Sequence, residues 1–253
     1  MAATRSARAP LTAYVLHHYD WSESSLILDL YTREQGRLAV AAKGAKKPHS
    51  NFRSVLLPFQ RIQVSLNGTA ARDESSNSEV QTLRAAEWGG GAAMLTGAAL
   101  FSGYYLNELL MKLLARHDPH PMLFDAYALA LAELGSNDET RVQTALRAFE
   151  LTLLQQTGVL PELSVVTPTQ QPVQPGRTYG LSPEAGVVVE GELDGATLIG
   201  VHAALQHGSF AALQQACRPA LPELRTALRA WIQHQLGHAT LRTRQVMRDV
   251  QAL

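Results

Sequence analysis

A run of three glycines, Gly89 to Gly91, divides the chain into two stretches with different hydrophobic patterns. Before the run, short apolar segments alternate with polar turns, a pattern typical of β-strands. After it, leucines and alanines recur every three or four residues, which is typical of α-helices. Because glycine interrupts both kinds of element, we expect two domains in the 253 residues: 1–87 and 88–253.

The first domain has no long helical pattern and five candidate strands, at 13–18, 25–32, 37–43, 60–66 and 80–86. In 60–66, apolar and polar residues alternate, as expected of a strand with one buried face. The turn residues at 33–36 predict a hairpin between the second and third strands. Five short strands in about 85 residues favour a small closed barrel, and the five-stranded version is the OB-fold.

The second domain is predicted to be mainly helical, with helices at 92–115, 122–134, 140–157, 201–215, 222–236 and 240–252. Five prolines between 161 and 183 exclude a helix there. Tyr179 and Val187–Val189 flank a turn and predict a small β-hairpin, so 161–200 is expected to be an insertion. The chain is therefore predicted to be an α+β protein with an OB barrel and a helical domain.

Charge is distributed unevenly, although the net charge is zero. Residues 1–62 carry nine Lys and Arg against four acids, and residues 218–253 carry six Arg against two acids. The middle, 63–217, carries seven basic and sixteen acidic residues. Basic termini indicate a polyanionic partner. The alternative is an ordinary solvated surface.

Motifs for catalysis are absent from the sequence. There is no Gly-x-Gly-x-x-Gly, no phosphate loop and no Gly-x-Ser-x-Gly elbow. The single Cys217 excludes an internal disulfide and a thiolate zinc site, and His234 and His238 lack the glutamate of a zinc-protease motif. The scattered carboxylates of the helices are interpreted as solvated. We therefore expect no catalytic residue, no cofactor and no metal ion, and, without a signal peptide or membrane span, a cytoplasmic protein.

A basic loop after the third strand is the most informative feature of the first domain. It contains Lys43, Lys46, Lys47 and Arg53, which can neutralise phosphates, and Phe52, which offers a stacking face. Barrels that bind single strands combine these two elements. Five further aromatic residues are candidates for stacking on bases: Tyr14, His17, Tyr19, Trp21 and Tyr31. The alternative for each is a structural place in the core or at the rim of the barrel.

The first domain contains an ordered set of motifs: Tyr14-Val-Leu-His17, Trp21-Ser-Glu-Ser-Ser-Leu-Ile-Leu-Asp-Leu-Tyr-Thr32, Gly36-Arg37 and Ala42-Lys-Gly-Ala45. Further segments follow along the chain: Leu56-Leu-Pro-Phe59, Tyr105-Leu-Asn-Glu-Leu-Leu110, Ala148-Phe-Glu-Leu151 and Leu241-Arg-Thr-Arg244. In this order the motifs resemble those of the bacterial recombination mediator RecO family. The resemblance covers nearly the full length, apart from 165–200.

The resemblance implies an N-terminal OB-fold, a helical domain and a DNA repair and recombination function without nucleotide hydrolysis. The family binds single- and double-stranded DNA, anneals complementary strands coated with single-stranded DNA-binding protein (SSB), and with RecR helps RecA to replace SSB at gaps. A cytoplasmic, nucleoid-associated protein is expected. The implied DNA-binding residues on the barrel are Arg33, Arg37, Lys43, Lys46, Lys47 and Arg53, and a second patch contains Arg242 and Arg244.

Two further expectations follow from the resemblance. Many family members carry a four-cysteine zinc module where this chain has the cysteine-free segment 161–183, so we expect no zinc. In some relatives the acidic, apolar C-terminal tail of SSB docks on the helical domain, which requires an apolar pocket and an arginine for the terminal carboxylate. Arg147 is the first candidate for that arginine and Arg141 the second.

Two other functions remain open at this stage. An RNA-binding OB protein has the same sequence features, since OB barrels bind both polymers. A protein adaptor with an incidentally basic barrel would bind nucleic acid only weakly at physiological salt. An enzyme is the least favoured of the alternatives.

Overall fold

The structure, a computed structural model, describes residues 9–67, 80–91, 94–243 and 245–246. It divides into two compact units. The first comprises Met1–Met94 with Leu114–Pro121, and the second comprises Leu95–Leu113 with Met122–Leu253. Sequence analysis placed 114–121 in the helical domain, so its packing in the first unit is a feature that the hydrophobic pattern did not reveal.

The first unit is a closed five-stranded barrel, as predicted. Its strands are β1 (Leu11–Asp20), β2 (Leu26–Thr32), β3 (Gly36–Ala42), β4 (Arg61–Leu66) and β5 (Val80–Trp88). The strand order is β1-β2-β3-β5-β4, and β4 pairs with β1 to close the barrel. All neighbouring pairs are antiparallel except β3 and β5. A short helix, α1 (Phe52–Val55), lies between β3 and β4.

Alternate residues of the strands fill the barrel. The core includes the fully buried side chains of Val15, Leu28, Leu30, Leu38, Val40, Ile62 and Val64. Strand β3 differs from the others because all seven of its residues are buried. A strand with one solvated face would show alternation, so the outer face of β3 must also be covered.

The cover is the segment Leu114–Pro121. Its His117 N–H donates to the Arg37 carbonyl at 3.0 Å, and the Tyr31 hydroxyl donates to the His120 carbonyl at 3.4 Å. The approach is closest at Gly36, where a Cβ would lie 2.1 Å from the Asp118 carbonyl oxygen. Gly36 also has a φ of 69°, so its position at the start of β3 requires glycine for two reasons.

We predict that Gly36→Ala destabilises the barrel much more than Gly44→Ala. Both glycines have positive φ, at 69° and 74°, so both substitutions incur the left-handed penalty of about 1–2 kcal/mol. At position 36 the new methyl group would also collide with the backbone of Asp118. At position 44 it would not, since the nearest atom there is the Lys47 Cδ at 3.6 Å. Urea unfolding of both variants measures the difference. Equal unfolding midpoints would contradict the close approach of 114–121.

The second unit contains six helices of eight or more residues within the described ranges: α2 (Gly97–Leu113), α3 (Pro121–Leu134), α4 (Glu139–Gln156), α5 (Gly195–His207), α6 (Phe210–Cys217) and α7 (Leu221–Leu236). The single helix predicted for 201–215 is wrong. Gly208 ends α5 in the left-handed conformation, and the Ser209 side chain caps α6 by accepting from the Ala212 N–H at 3.3 Å. None of the helices in the described ranges is long and apolar enough to cross a bilayer.

The insertion contains the predicted hairpin and no helix before residue 195. Its strands are β6 (Val165–Val166), β7 (Gln171–Pro172), β8 (Thr178–Ser182), β9 (Gly186–Val189) and β10 (Leu193–Asp194). The hairpin joins β8 to β9, and β10 pairs with the other edge of β8. Buried apolar side chains hold the insertion together, among them Val166, Val173, Tyr179, Leu181 and Val187.

Candidate nucleic-acid interface

The basic loop between β3 and α1 is anchored to the barrel by its apolar residues. Ala45 and Leu56 are buried in the barrel core, and Phe52 packs partly against it. Since the apolar side chains of 43–56 point inward, the basic ones are left outside. Lys43 and Lys47 are exposed, as is Arg53 on α1. The loop therefore presents positive charge from an ordered backbone.

Hydrogen bonds tie this loop to the connection between β1 and β2. The Lys46 N–H donates to the Ser24 carbonyl at 3.0 Å, and the Gly44 N–H donates to Ser25 Oγ at 3.4 Å. In the same connection, the Trp21 N–H donates to the Ser25 carbonyl at 3.3 Å. The tertiary structure thus brings the basic loop and the Trp21 segment together at one end of the barrel.

Lys46 is the one lysine of this group with an ion pair among the described residues. Its Nζ lies 3.2 Å from Asp20 Oδ1 at the end of β1. The Asp20 side chain is 79% exposed, so the attraction is screened by water and weak. Asp20 nevertheless places a negative charge within the basic surface and lowers its attraction for polyanions.

The aromatic candidates divide into buried and exposed groups. Tyr14 and Tyr31 are buried, and Phe52 is half-buried on the core, so the prediction that Phe52 offers a free stacking face is not supported by its position. Trp21 and Tyr19 are 56% and 48% exposed. These two side chains are the aromatic faces that accompany the basic loop.

Tyr19 lies beside Asp29. Partial burial together with the negative charge of Asp29 raises the pKa of Tyr19. The ring of His17 packs edge-on against the ring of Tyr19, with centroids 4.6 Å apart. A ring fixed in this way loses little rotamer freedom when a base stacks on it.

Arg37 requires a correction, because the expectation that it contacts DNA conflicts with its burial. It is 7% exposed, its Nη1 donates to the Leu114 carbonyl at 2.8 Å, and its Nη2 lies 3.2 Å from Asp29 Oδ1. Arg116 approaches the same carboxylate oxygen at 3.8 Å. Arg37 therefore fastens Leu114–Pro121 to the barrel and does not offer its charge to a ligand.

The covered face has a consequence for where a ligand can bind. OB barrels commonly use the face of strands 2 and 3 together with neighbouring loops. Here the outward side chains of β2 and β3 include Asp29, Tyr31 and Arg37, all of them buried. The exposed basic residues of the loop lie outside this covered face, while Arg33, Arg61 and Arg84 are exposed elsewhere on the described barrel.

Arg33 is exposed but lies apart from the basic loop. It occupies the turn between β2 and β3, whereas Lys43 follows the other end of β3. Seven residues of strand span about 23 Å. The structure therefore brings Lys43, Lys46, Lys47 and Arg53 together but leaves Arg33 at the opposite end of the strand.

The second predicted patch is held by an acid that sequence analysis interpreted as solvated. Glu108 on α2 is buried and accepts the backbone N–H groups of Arg242 and Thr243 at 2.8 and 3.0 Å. Burial acts to raise the pKa of Glu108, but the hydrogen bonds from Thr243 and Arg242 and the charge of Lys112 outweigh it and lower the pKa. The Arg242 side chain is exposed, and Arg244 lies outside the described residues.

The expectation that Arg147 binds the terminal carboxylate of the SSB tail also conflicts with its burial. It is 6% exposed, and its Nη2 lies 2.7 Å from Glu150 Oε1, which also accepts the Tyr105 hydroxyl at 2.7 Å. A guanidinium enclosed in this network is not available to the carboxylate of a docking peptide. Arg141, the second candidate, is exposed and binds both carboxylate oxygens of Glu133 at 2.9 and 3.0 Å.

Groups suited to covalent or metal chemistry are not assembled in the described ranges. Cys217 is buried, and burial raises the pKa of its thiol to about 12. A protonated, enclosed thiol is a poor nucleophile. Within those ranges, no three His, Cys, Asp or Glu side chains lie close enough together to hold a metal ion.

A closed five-stranded barrel of this strand order, with a basic loop and exposed aromatics at one end, defines an OB-fold protein of the nucleic-acid-binding class. Comparison with known families identifies the two parts separately. Residues 8–86 match the family description "Recombination protein O N terminal", and residues 94–245 match "Recombination protein O C terminal". The chain belongs to the recombination protein O family.

Full-length relatives agree with this assignment. The chain is 49% identical over 259 residues to "DNA repair protein RecO" of Polaromonas sp. (strain JS666 / ATCC BAA-500), with all of both chains covered. It is 48% identical over 258 residues to the protein of that name from Verminephrobacter eiseniae (strain EF01-2), covering 100% of this chain and 99% of the relative. The family membership assigns the chain a role in DNA repair.

We predict that Arg37→Gln lowers the free energy of unfolding by about 3 kcal/mol, because it leaves Asp29 buried with only the more distant Arg116. Arg53→Gln removes the same charge from an exposed position on α1 and should change stability by less than about 0.5 kcal/mol. Chemical denaturation of both variants measures the difference. If the Arg37→Gln protein has normal stability but has lost DNA affinity, then Arg37 is part of the DNA-binding surface and its structural assignment is wrong.

Proposed function

We propose that this protein is a recombination mediator that binds single- and double-stranded DNA through the loop end of its barrel. In this proposal it anneals complementary strands coated with SSB and, with RecR, assists RecA loading at gaps. The observation that carries the proposal is the ordered basic loop, with Lys43, Lys47 and Arg53 exposed beside Trp21. The names of the relatives, which refer to DNA repair, agree with it.

The chemistry of this surface suits a splayed single strand. Exposed lysines neutralise phosphates without needing a fixed geometry, and they release counterions as they do so. The rings of Trp21 and Tyr19 can each stack a base, at about 1–3 kcal/mol per base. Neither contact occupies the Watson–Crick edges, so a bound strand remains free to pair.

Annealing by this route requires no bond to be made or broken by the protein. Two phosphate backbones repel each other, and neutralising one of them lowers the barrier to pairing. We therefore propose a non-catalytic role. RecR and RecA belong to the proposal as partners through the family resemblance.

We predict that Lys43→Ala/Lys47→Ala weakens binding of a single-stranded oligonucleotide and slows annealing of SSB-coated strands. Two lost phosphate contacts should flatten the log–log salt dependence of affinity by about 1.4, since each contributes about 0.7 on single strands. Adding Lys46→Ala should flatten the slope further, but by less than the value of about 0.7 for one full phosphate contact. The reason is that the charge of Lys46 is already paired with Asp20. Fluorescence anisotropy between 50 and 300 mM salt provides the measurement, with Arg177→Ala, an exposed arginine of the insertion, as control.

A gain-of-function variant strengthens this test. Asp20→Asn removes the acid beside Lys46 and should raise DNA affinity several-fold without altering a basic residue. Unchanged affinity in both the lysine variant and Asp20→Asn would exclude the loop as the binding surface. A preference for RNA in direct competition would favour the RNA-binding alternative, and binding that vanishes near physiological salt would favour the adaptor.

For the SSB tail, we propose a groove between helices α3, α4, α5 and α6. Its apolar lining includes Met122, Leu129, Leu205, Phe210 and Leu213. Glu133 follows Leu129 by one turn on the same face of α3, so the Glu133–Arg141 pair lies beyond the end of this groove. One acid, Asp125, also lines the groove. The carboxylates of the tail would therefore lie on the Arg141 side.

We predict opposite effects of two substitutions on this groove. Arg141→Ala should weaken binding of a synthetic SSB tail peptide, whereas Glu133→Gln should strengthen it by releasing the guanidinium that Glu133 now holds. Isothermal titration with the peptide, and with a peptide lacking its terminal carboxylate, measures both. If the two variants bind the peptide equally, Arg141 is not the tail-binding arginine.

A further inference from the structure

Met122 combines solvent exposure with a place in the groove between helices α3, α4, α5 and α6, which we call the tail groove. It is the second residue of α3, and 49% of its surface is exposed although it lines the groove. Among the described residues of the lining, Met122 alone carries sulfur. An accessible thioether is the group that mild oxidants convert to a sulfoxide.

Contacts on two sides hold the Met122 thioether at the wall of the tail groove. Its Cε lies 3.1 Å from the position that a Cβ would take at Gly208, the left-handed residue that ends α5. Its Sδ lies 4.0 Å from the amide nitrogen of Gln156 on α4. Thioether sulfur is a weak acceptor, whereas a sulfoxide oxygen is polar and accepts readily. The amide of Gln156 is therefore placed to donate to an oxygen added at Sδ.

We propose that Met122 is a methionine-oxidation site through which a hydroperoxide regulates docking in the tail groove. This inference rests on the proposed docking of the SSB tail and adds its regulation. A sulfur lone pair attacks the terminal peroxide oxygen, so that an S–O bond forms as the O–O bond breaks. Sulfur loses two electrons, and the leaving oxygen takes the proton of the transferred oxygen and departs as water or an alcohol. Methionine sulfoxide reductases return the sulfoxide to the thioether.

A sulfoxide at Met122 disfavours an acidic, apolar peptide in two ways. It removes apolar surface from the groove, and the exposed half of Met122 is the part that a docked peptide would cover. It also adds an electron-rich oxygen to a wall that already carries Asp125, three residues further along the same face of α3. Both effects lower the affinity of the groove for the tail.

Two other sulfur-containing residues provide comparisons. Met94 is 71% exposed, more than Met122, but it does not line the tail groove. Cys217 is buried, and burial raises the pKa of its thiol to about 12, which protects it from peroxide. Exposure alone therefore makes both Met94 and Met122 oxidisable, and position in the groove connects only Met122 to peptide binding.

The test measures the affinity of the full chain for the synthetic SSB tail peptide before and after treatment with hydrogen peroxide. Catalase removes the peroxide before the peptide is added, and peptide mapping by mass spectrometry quantifies the sulfoxide at each methionine. Oxidised wild-type protein should bind about ten-fold more weakly, the order expected when a half-buried side chain of this size no longer contributes its apolar burial. Reduction by methionine sulfoxide reductases should restore the affinity.

Three variants assign the effect to one side chain. Met122→Leu should lose the response to peroxide, whatever its starting affinity, because leucine keeps the apolar volume without the sulfur. Met122→Gln introduces a polar side chain and should weaken binding without peroxide. Leucine and glutamine are good helix formers, so both variants retain α3. Met94→Leu is the matched control and should respond to peroxide like the wild type.

The possible failures are distinguishable. If reduced and oxidised wild-type protein bind the peptide equally, with sulfoxide present at Met122, the inference is overturned and tail docking stands. A map in which Met94 is oxidised and Met122 is not also overturns it, as does a Met122→Leu variant that still responds to peroxide. If the reduced wild-type protein does not bind the peptide, the docking proposal fails and its regulation fails with it.

Discussion

A buried ion cluster on the outside of the barrel sets the arrangement of the first unit. The Asp29 carboxylate lies at 3.2 Å from Arg37 and 3.8 Å from Arg116. A carboxylate this deeply buried needs such partners, because desolvation without them is costly. The two arginines come from β3 and from the segment Leu114–Pro121, so satisfying this one charge on β2 joins three parts of the chain.

This cluster decides which surfaces of the barrel are free. By fastening 114–121 over β2 and β3, it covers the face that other OB barrels offer to ligands. The loop after β3 is placed differently, because Ala45 and Leu56 enter the core while the basic side chains stay outside. The same physical rule, that apolar groups bury and charges need partners or water, therefore closes one face of the barrel and opens its end.

The helical unit shows how an acid can organise a basic surface. Glu108 keeps its charge inside the fold because three hydrogen bonds, two from backbone N–H groups and one from the Thr243 hydroxyl, replace its water shell. In return, the segment that carries Arg242 is fixed. Glu150 has a comparable role for Arg147, but there both charges are enclosed and neutralise each other within the core. Burial thus distinguishes arginines that stabilise the fold from those that face a partner.

The sequence by itself determined the barrel, most of the helices, the hairpin of the insertion and the composition of the basic loop, because these depend on local periodicity and turn chemistry. It could not show that Arg37 is buried, since in the strand pattern Arg37 is an outward polar residue and the segment that covers it lies almost eighty residues further on. Arg147 and Glu108 were misjudged for the same reason, because a helix pattern does not reveal polar partners on other elements. The pairing of Lys46 with Asp20 and the meeting of the basic loop with Trp21 are likewise long-range contacts. Only the tertiary structure decides them, because burial and pairing depend on what packs against a side chain and not on the residues beside it in the chain.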